Sequence, residues 1–203
     1  MSTISPDSSR ELHGLAARCG IQRLDVAISG STPAAERGTL TLLVGGDGDL
    51  FRDAEPIFQA VAKQHFLLGG AGAGTAMKLV VNTLLGVGMQ AIAEAVVLGE
   101  KIGLNRERLL QVLSETAVVA PAHLGKLASA MVNDYRPQFP LRLMNKDFTL
   151  ILNAAAKKHV SMPATEAAFY VNSEELAGNV DEDFSAVLRR MEEAAGFEAP
   201  VTG

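Results

Sequence analysis

The sequence is poor in cysteine, in aromatic residues and in metal-binding patterns. Among its 203 residues there is one cysteine, Cys19, and no tryptophan, and 5% of the residues are aromatic. A single cysteine cannot form an internal disulfide, which predicts a reducing, cytoplasmic setting. The histidines are too scattered for the cysteine–histidine spacing of a zinc site. They are His13, His65, His123 and His159. No metal is therefore expected.

Positive charge is also scarce. The chain has 18 Lys and Arg against 23 Asp and Glu, which gives a net charge of −5 at pH 7. The Lys and Arg residues form no stripe of positive charge that could neutralise a phosphate backbone. We therefore do not expect a nucleic acid as a partner. With 48% hydrophobic and 20% charged residues, the composition is instead typical of a globular protein of one or two domains.

The sequence gives no sign of a secretory signal or of a membrane span. The opening residues MSTISPDSSRELHG have neither a basic segment nor an apolar segment of the kind found in a secretory signal. The most apolar stretch, Leu79–Leu98, is interrupted by Asn82, Gln90 and Glu94. These polar residues favour a buried core helix over a membrane span, and no membrane partner is expected.

The chain divides into two kinds of pattern, with a boundary near Gly69–Gly70. Before it, strand-like runs alternate with helical periodicity, which predicts part of a mixed or parallel sheet covered by helices. After it, only helical periodicity is found. The predicted strands are Leu24–Ile28, Leu40–Val44 and His65–Leu68, and the predicted helices are Ser5–Gly20, Asp49–Lys63, Gly74–Gly103, Arg106–Thr116, Ala122–Asn133, Arg142–Lys158, Pro163–Ala177 and Phe184–Ala195.

The segment GAGTAMKLVVN contains the most suggestive polar pair. Gly74, Lys78 and Asn82 fall at intervals of four and therefore share one face of a helix. The surrounding residues are apolar, so Lys78 is a cation that is costly to bury. Two interpretations remain open on spacing alone. Lys78 is either an amphipathic lysine that reaches solvent or a group whose pKa is lowered by desolvation for proton transfer.

Five separated segments, in order, resemble the motifs of the β-hydroxyacid dehydrogenase family, of the 3-hydroxyisobutyrate dehydrogenase or tartronate semialdehyde reductase type. Several motifs in the family's order are far more specific than any one of them. The segments are STISP at 2–6, DVAISGS at 25–31, GTLTLLVGGD at 38–47, GAGTAMKLVVN at 72–82 and NKDFTLILNAAAKKHVSMP at 145–163.

The resemblance implies a mainly α fold. Residues 1–70 would be the C-terminal part of a Rossmann-type dinucleotide-binding α/β domain, and residues 71–203 an all-helical, 6-phosphogluconate dehydrogenase-like domain for catalysis and dimerisation. The family's opening G-x-G-x-x-G turn, which holds the cofactor pyrophosphate, does not occur in these 203 residues. We therefore expect a truncated chain that by itself binds NAD or NADP weakly or not at all.

The resemblance also implies roles for particular residues. Lys78 matches the family's catalytic lysine, and Asn82 matches the residue that orients the same substrate oxygen. Ser29, Gly30 and Ser31 match the segment that binds the substrate carboxylate. Here the chain departs from the family motif, because Ala27 replaces a proline and Ser31 replaces a second glycine, so the choice of substrate is left open.

The resemblance also assigns two residues of this chain to cofactor binding. Thr3 matches a residue near the nicotinamide, and Lys146 matches a lysine that reaches the cofactor from the helical domain. For Asp147 a structural role, with its carboxylate favoured near a helix start, and a catalytic role both remain open, and it is not counted among the site residues. The acidic residues Glu174–Glu175 and Asp181–Asp183 are interpreted as solvated surface.

Together these observations predict an NAD(P)-dependent oxidoreductase of small 3-hydroxy acids or their semialdehydes, with Lys78 as the acid–base group. The helices after Gly74 are apolar around much of their circumference, which predicts a homodimer or higher homo-oligomer. The alternative is a non-catalytic fragment that binds carboxylates and dimerises. A reductase of imines on the same scaffold is less favoured, because Lys78 is retained.

Overall fold

The computed structural model describes residues 2–176 and 181–197. The chain forms two compact units, residues 1–82 and 83–203, and the division falls inside one long helix. The boundary that the sequence predicts, near residue 70, stays a prediction.

The first unit contains three strands and their helices, close to the predicted positions. Only α2 is missing from the sequence-based prediction. The elements are α1 (Pro6–Arg18), β1 (Asp25–Ser29), α2 (Thr32–Glu36), β2 (Leu40–Gly45), α3 (Gly48–Val61), β3 (Ala62–Leu67) and the start of α4 (Ala73–Lys101).

Two of these helices begin at residues with a short capping side chain. The Ser5 hydroxyl accepts a hydrogen bond from the Ser8 N–H at 2.9 Å, and the Asp47 carboxylate accepts from the N–H groups of Asp49 and Leu50 at 2.8 and 2.9 Å. These bonds satisfy N–H groups that have no partner within the helix. The bonds from Leu50 and Asp49 also lower the pKa of Asp47.

The sheet is mixed, in the order β1-β2-β3. β1 pairs antiparallel with β2, so that Ala27 lies opposite Leu43, and β2 pairs parallel with β3. A core of Leu42, Val44, Phe58 and Ala62 fills the space between the sheet and α3. The predicted α/β remnant, with a mixed or parallel sheet, is confirmed.

The second unit is helical, as predicted. The predicted final helix, Phe184–Ala195, is a 3-10 turn that leads into an α-helix, and Ala177, the predicted end of the preceding helix, lies outside the described residues. The elements after α4 are α5 (Arg106–Ser114), α6 (Pro121–Met131), α7 (Leu141–Lys157), α8 (Pro163–Leu176), the 3-10 turn Phe184–Ala186 and α9 (Val187–Ala194).

Helix α4 is long and apolar enough to cross a membrane by length and composition, and 39% of its most apolar window is buried within the chain. Core helices of soluble proteins share these properties, so the observation is weak evidence for a span. Its glycines allow close helix packing in the second unit. A Cβ on Gly86 would lie 2.3 Å from Cζ of Phe148 on α7, and one on Gly88 would lie 2.7 Å from Cε1 of His123 on α6.

The interpretation of the acidic residues at 174–183 as solvated surface is wrong for two of them. Glu175 and Asp183 are buried. Arg189 pairs with Glu175 at 2.7 Å and also with Glu182, and Lys126 pairs with Asp183 at 2.7 Å. Sequence patterns missed these pairs because the basic partners are distant in the chain, and buried carboxylates require partners of this kind.

Candidate active site

The start of helix α4 is attached to strand β1 by the Asp25 carboxylate. Its Oδ1 accepts a hydrogen bond from the Gly72 N–H at 2.8 Å. Its Oδ2 accepts from the Thr75 N–H at 2.8 Å and from the Thr75 hydroxyl at 2.9 Å. Asp25 is buried, and the N–H groups at a helix start lack intrahelical acceptors. The carboxylate therefore caps α4 from a neighbouring strand.

Glycine at two positions allows the helix to approach the strands this closely. A Cβ on Gly74 would lie 2.3 Å from the carbonyl oxygen of Leu43, and one on Gly45 would lie 2.4 Å from Oδ1 of Asp25. Both distances are well inside van der Waals contact. Any side chain at Gly74 would push the helix away from the sheet, so this glycine fixes the position of the first turn.

Lys78 and Asn82 follow on the same helix. Lys78 comes one turn after Gly74 and is half-buried, and Asn82 comes one turn later and is fully buried. The spacing of four residues places their Cβ atoms on one face. The helix predicted from the sequence thus brings this pair together. An ammonium can donate a proton to a carbonyl oxygen, and a side-chain amide can orient that oxygen by a hydrogen bond.

Ser29, Gly30 and Ser31 form the turn that ends β1. Gly30 has a φ of 128°, and a Cβ there would lie 2.7 Å from Cδ2 of Leu40, so only glycine is accommodated without strain. The Ser31 carbonyl accepts hydrogen bonds from the N–H groups of Ala34 and Ala35 at 2.9 and 3.0 Å. The Ser31 side chain makes no capping bond to α2, so the short helix does not require this hydroxyl.

The two residues assigned to the cofactor lie in different units. Thr3 is half-buried and precedes the N-cap of α1 by two residues. Lys146 lies in the first turns of α7 with 43% of its side chain exposed, and its Nζ is 2.7 Å from Oδ1 of the buried Asp147. Asp147 therefore pairs with its neighbour, which favours the structural alternative for this residue.

A second group of titratable residues lies in the helical unit, around the end of α4. Arg106 binds Glu192 through Nε at 2.6 Å and donates to the Ala130 carbonyl at 3.0 Å. Burial, reinforced by the charge of Glu192, raises the pKa of Glu100 and raises that of Tyr135 to about 12. These contacts connect α4, α5, α6 and α9 and indicate a structural role.

Sequence reasoning assigned no role to Asp25 or to Lys126. The signal for Asp25 was present in the DVAISGS segment, because an aspartate at the start of an apolar strand needs a partner when it is buried. The partner could not be identified, since Gly72 and Thr75 lie 47 and 50 residues further along the chain. Lys126 carried no comparable signal.

Two family models match the chain. The model described as the NAD binding domain of 6-phosphogluconate dehydrogenase matches residues 1–70. The model described as NAD-binding of NADP-dependent 3-hydroxyisobutyrate dehydrogenase matches residues 72–191, more than half of the chain.

Individual relatives agree with these models. A 2-(hydroxymethyl)glutarate dehydrogenase of Eubacterium barkeri is 35% identical, over 97% of this chain and 66% of that protein. Glyoxylate/succinic semialdehyde reductase 1 of Arabidopsis thaliana is 37% identical, over 93% of this chain and 65% of that protein. The 3-hydroxyisobutyrate dehydrogenase of Mycobacterium tuberculosis, solved with L-serine, superposes with a TM-score of 0.83 at 36% identity, over 93% of this chain and 67% of that chain.

The chain thus spans about two thirds of the length of the relatives that it matches. The matched residues, 1–70 and 72–191, contain the positions of all five motif segments. The chain belongs to the β-hydroxyacid dehydrogenase family of NAD(P)-dependent oxidoreductases, of the 3-hydroxyisobutyrate dehydrogenase type.

Proposed function

We propose that the protein serves the NAD(P)-dependent interconversion of a small 3-hydroxy acid and its semialdehyde. The observation that carries this proposal is the Lys78–Asn82 pair. In a chain of this family, the pair lies on one face of a helix whose first turn is fixed to the sheet by Asp25.

Lys78 acts as the acid–base group. As an ammonium it donates a proton to the carbonyl oxygen during reduction, and as a neutral amine it accepts the hydroxyl proton during oxidation. Asn82 donates a hydrogen bond from its amide to the same oxygen and so orients it. Lys78 is half-buried and not fully enclosed, which supports this role, because an acid–base group must be able to reach the substrate oxygen.

The segment Ser29–Gly30–Ser31 binds the substrate carboxylate. Its two hydroxyls and backbone N–H groups are donors of the kind that an anion requires, and Gly30 leaves the backbone accessible. Ser31 adds a donor and bulk where the family motif has glycine. This difference favours a substrate that is small next to its carboxylate, or one that has a polar group there.

NAD or NADP, when bound, supplies or accepts the hydride. Each residue by itself suits such a group, because the half-buried Thr3 hydroxyl and the partly exposed Lys146 ammonium can each donate hydrogen bonds to acceptor oxygens. We assign both residues to cofactor binding. We further propose a cytoplasmic location, in keeping with the single cysteine, Cys19.

The proposal is tested by measuring binding and turnover in the same preparation. Isothermal titration with 3-hydroxyisobutyrate is expected to show binding that is lost in Ser29→Ala/Ser31→Ala. NAD(P)H formation with the same acid is expected to depend on Lys78. The exposed Ser161→Ala variant is the matched control for the serine changes.

The outcomes separate the two functions. Turnover that is lost in Lys78→Ala supports the dehydrogenase. Binding of the acid without NAD(P)H formation, at cofactor concentrations up to millimolar, supports the alternative, a carboxylate-binding module that does not catalyse. A chain that binds neither the acid nor the cofactor contradicts both.

A further inference from the structure

The capping of α4 differs from that of its neighbours. Helices α3 and α5 are capped by residues adjacent to them in sequence, Asp47 and Asn105. The cap of α4 comes from β1, 47 to 50 residues away. A local cap fixes a helix start only to its own loop. A cap from a strand fixes the helix start to that strand.

Strand β1 also carries the proposed carboxylate-binding turn. It begins at Asp25 and ends at Ser29, a distance of about 13 Å at the usual rise of a strand. In the other direction, Lys78 comes three residues after Thr75, about 4.5 Å along the helix axis. The Asp25–Thr75 link therefore joins, through two rigid elements, the segment assigned to the carboxylate and the lysine assigned to the reacting oxygen.

The chemistry of the link requires a carboxylate. Both Asp25 oxygens face donors: the Gly72 N–H on one side, and the N–H and hydroxyl of Thr75 on the other. An ionised carboxylate only accepts hydrogen bonds and can satisfy all three. An asparagine would turn its NH₂ group towards at least one N–H donor. Such a buried mismatch would displace the helix start.

We propose that Asp25 is a positioning residue for Lys78, which acts through Gly72 and Thr75 to set the place of the Lys78 ammonium relative to the Ser29–Ser31 turn. The functional meaning of this inference rests on the proposed role of Lys78. It goes beyond that role, because Asp25 itself contacts the first turn of the helix and has no part in proton transfer.

The experiment observes Lys78 directly in the 203-residue chain. Lysine side chains are dimethylated with ¹³C-formaldehyde, and the Lys78 signal is assigned by its disappearance in Lys78→Arg. Its chemical shift is recorded without ligand in Asp25→Asn, Thr75→Val and Thr75→Ser. Asp47→Asn is the matched control, since it removes the same charge from the cap of a different helix in the same unit.

We expect the Lys78 signal to shift in Asp25→Asn and, by less, in Thr75→Val. Thr75→Ser keeps the hydroxyl and should retain the original signal, as should Asp47→Asn. Titration with 3-hydroxyisobutyrate should show at least roughly tenfold weaker affinity in Asp25→Asn, because displacements of about 1 Å in a site have large effects. Thr75→Ser should bind as the unmodified chain does.

Two results would overturn the inference: an unchanged Lys78 signal in both Asp25→Asn and Thr75→Val, or an equal shift in Asp47→Asn. If Asp25→Asn does not fold, the comparison of Thr75→Val with Thr75→Ser decides, since each alters one buried side chain without changing charge. Failure of the proposed function is recognised separately. In that case 3-hydroxyisobutyrate leaves the Lys78 signal of the unmodified chain unchanged, whereas the ligand-free comparison still tests Asp25.

Discussion

Lys126 and Asp183 form a buried ion pair with an Nζ–Oδ2 distance of 2.7 Å. The same Asp183 oxygen accepts hydrogen bonds from the N–H groups of Gln138 and Phe139, both at 3.0 Å. The pair thus holds α6, the loop before α7 and the 3-10 turn before α9 together. A buried charge left without its partner is strongly destabilising.

Lys126→Met should lower the free energy of unfolding by about 3–5 kcal/mol, because Asp183 would remain buried without its cation. Urea denaturation followed by circular dichroism measures the change. Lys158→Met, at the exposed C-cap of α7, should stay within about 0.5 kcal/mol of the unmodified chain. Equal changes in the free energy of unfolding in the two variants would show that the buried ion pair stabilises the fold no more than an exposed lysine does.

Gly86→Ala and Gly125→Ala should change stability in opposite directions. At Gly86 a Cβ would lie 2.3 and 2.7 Å from two ring carbons of Phe148, whereas a Cβ at Gly125 would meet no atom within 4 Å apart from its chain neighbours and its own helix backbone. Overpacking at Gly86 should cost about 1–3 kcal/mol. Alanine at Gly125, inside α6, should stabilise by about 0.5–1 kcal/mol. Thermal unfolding of both variants measures these changes. A Gly86→Ala protein as stable as the unmodified chain would contradict the close packing of α4 on α7.

Glu100→Gln should stabilise the fold at neutral pH and not at low pH. Burial and the charge of Glu192 raise the pKa of Glu100 above its ordinary value of 4.5. The folded state therefore holds the proton more tightly than the unfolded state, and the stability that Glu100 contributes is complete below pH 4.5 and lost as pH rises through the folded pKa. A neutral glutamine avoids that loss.

The measurement for Glu100→Gln is the unfolding midpoint in urea at pH 4 and pH 7. Glu94→Gln, an exposed position on the same helix, is the control and should show little change at either pH. A gain of the same size at both pH values in Glu100→Gln would argue against the raised pKa as its cause.

In a preparation that turns over 3-hydroxyisobutyrate, Lys78→Ala should reduce kcat by about 10²–10⁴-fold, the usual contribution of an acid–base group. Folding should be retained, since the change removes a half-buried charge. Steady-state kinetics with NAD and NADP measure the effect. The exposed Lys63→Ala is the control, and more than a tenth of the original rate in Lys78→Ala would remove Lys78 from the mechanism.

We expect a homodimer or a larger homo-oligomer. Several large apolar side chains of the described residues are exposed, among them Leu84 at 72%, Ile102 at 71% and Val118 at 86%. Exposed apolar surface of this kind favours association. Size-exclusion chromatography with light scattering at micromolar concentration measures the mass, and a purely monomeric chain would contradict this expectation. Leu84→Gln should weaken assembly more than Leu15→Gln on α1.

The sequence alone determined most of the elements and, through its motifs, the family. Short apolar runs predicted all three strands, and helical periodicity predicted the long helices, because these patterns depend on neighbours within a few residues. The pair Lys78 and Asn82 was predictable for the same reason, since a spacing of four residues fixes a common helix face. Helix α2 was missed, because five residues, Thr32–Glu36, are too few for a period to be recognised.

Only the tertiary structure identified the partners of buried charges. Asp25 with Thr75, Lys126 with Asp183 and Arg189 with Glu175 are each joined across a chain separation that leaves no local pattern. The exposure of Glu175 and Asp183 was predicted wrongly for this reason. A carboxylate is solvated unless a distant cation or a set of N–H groups replaces its water, and that replacement is decided by packing and not by neighbours in sequence.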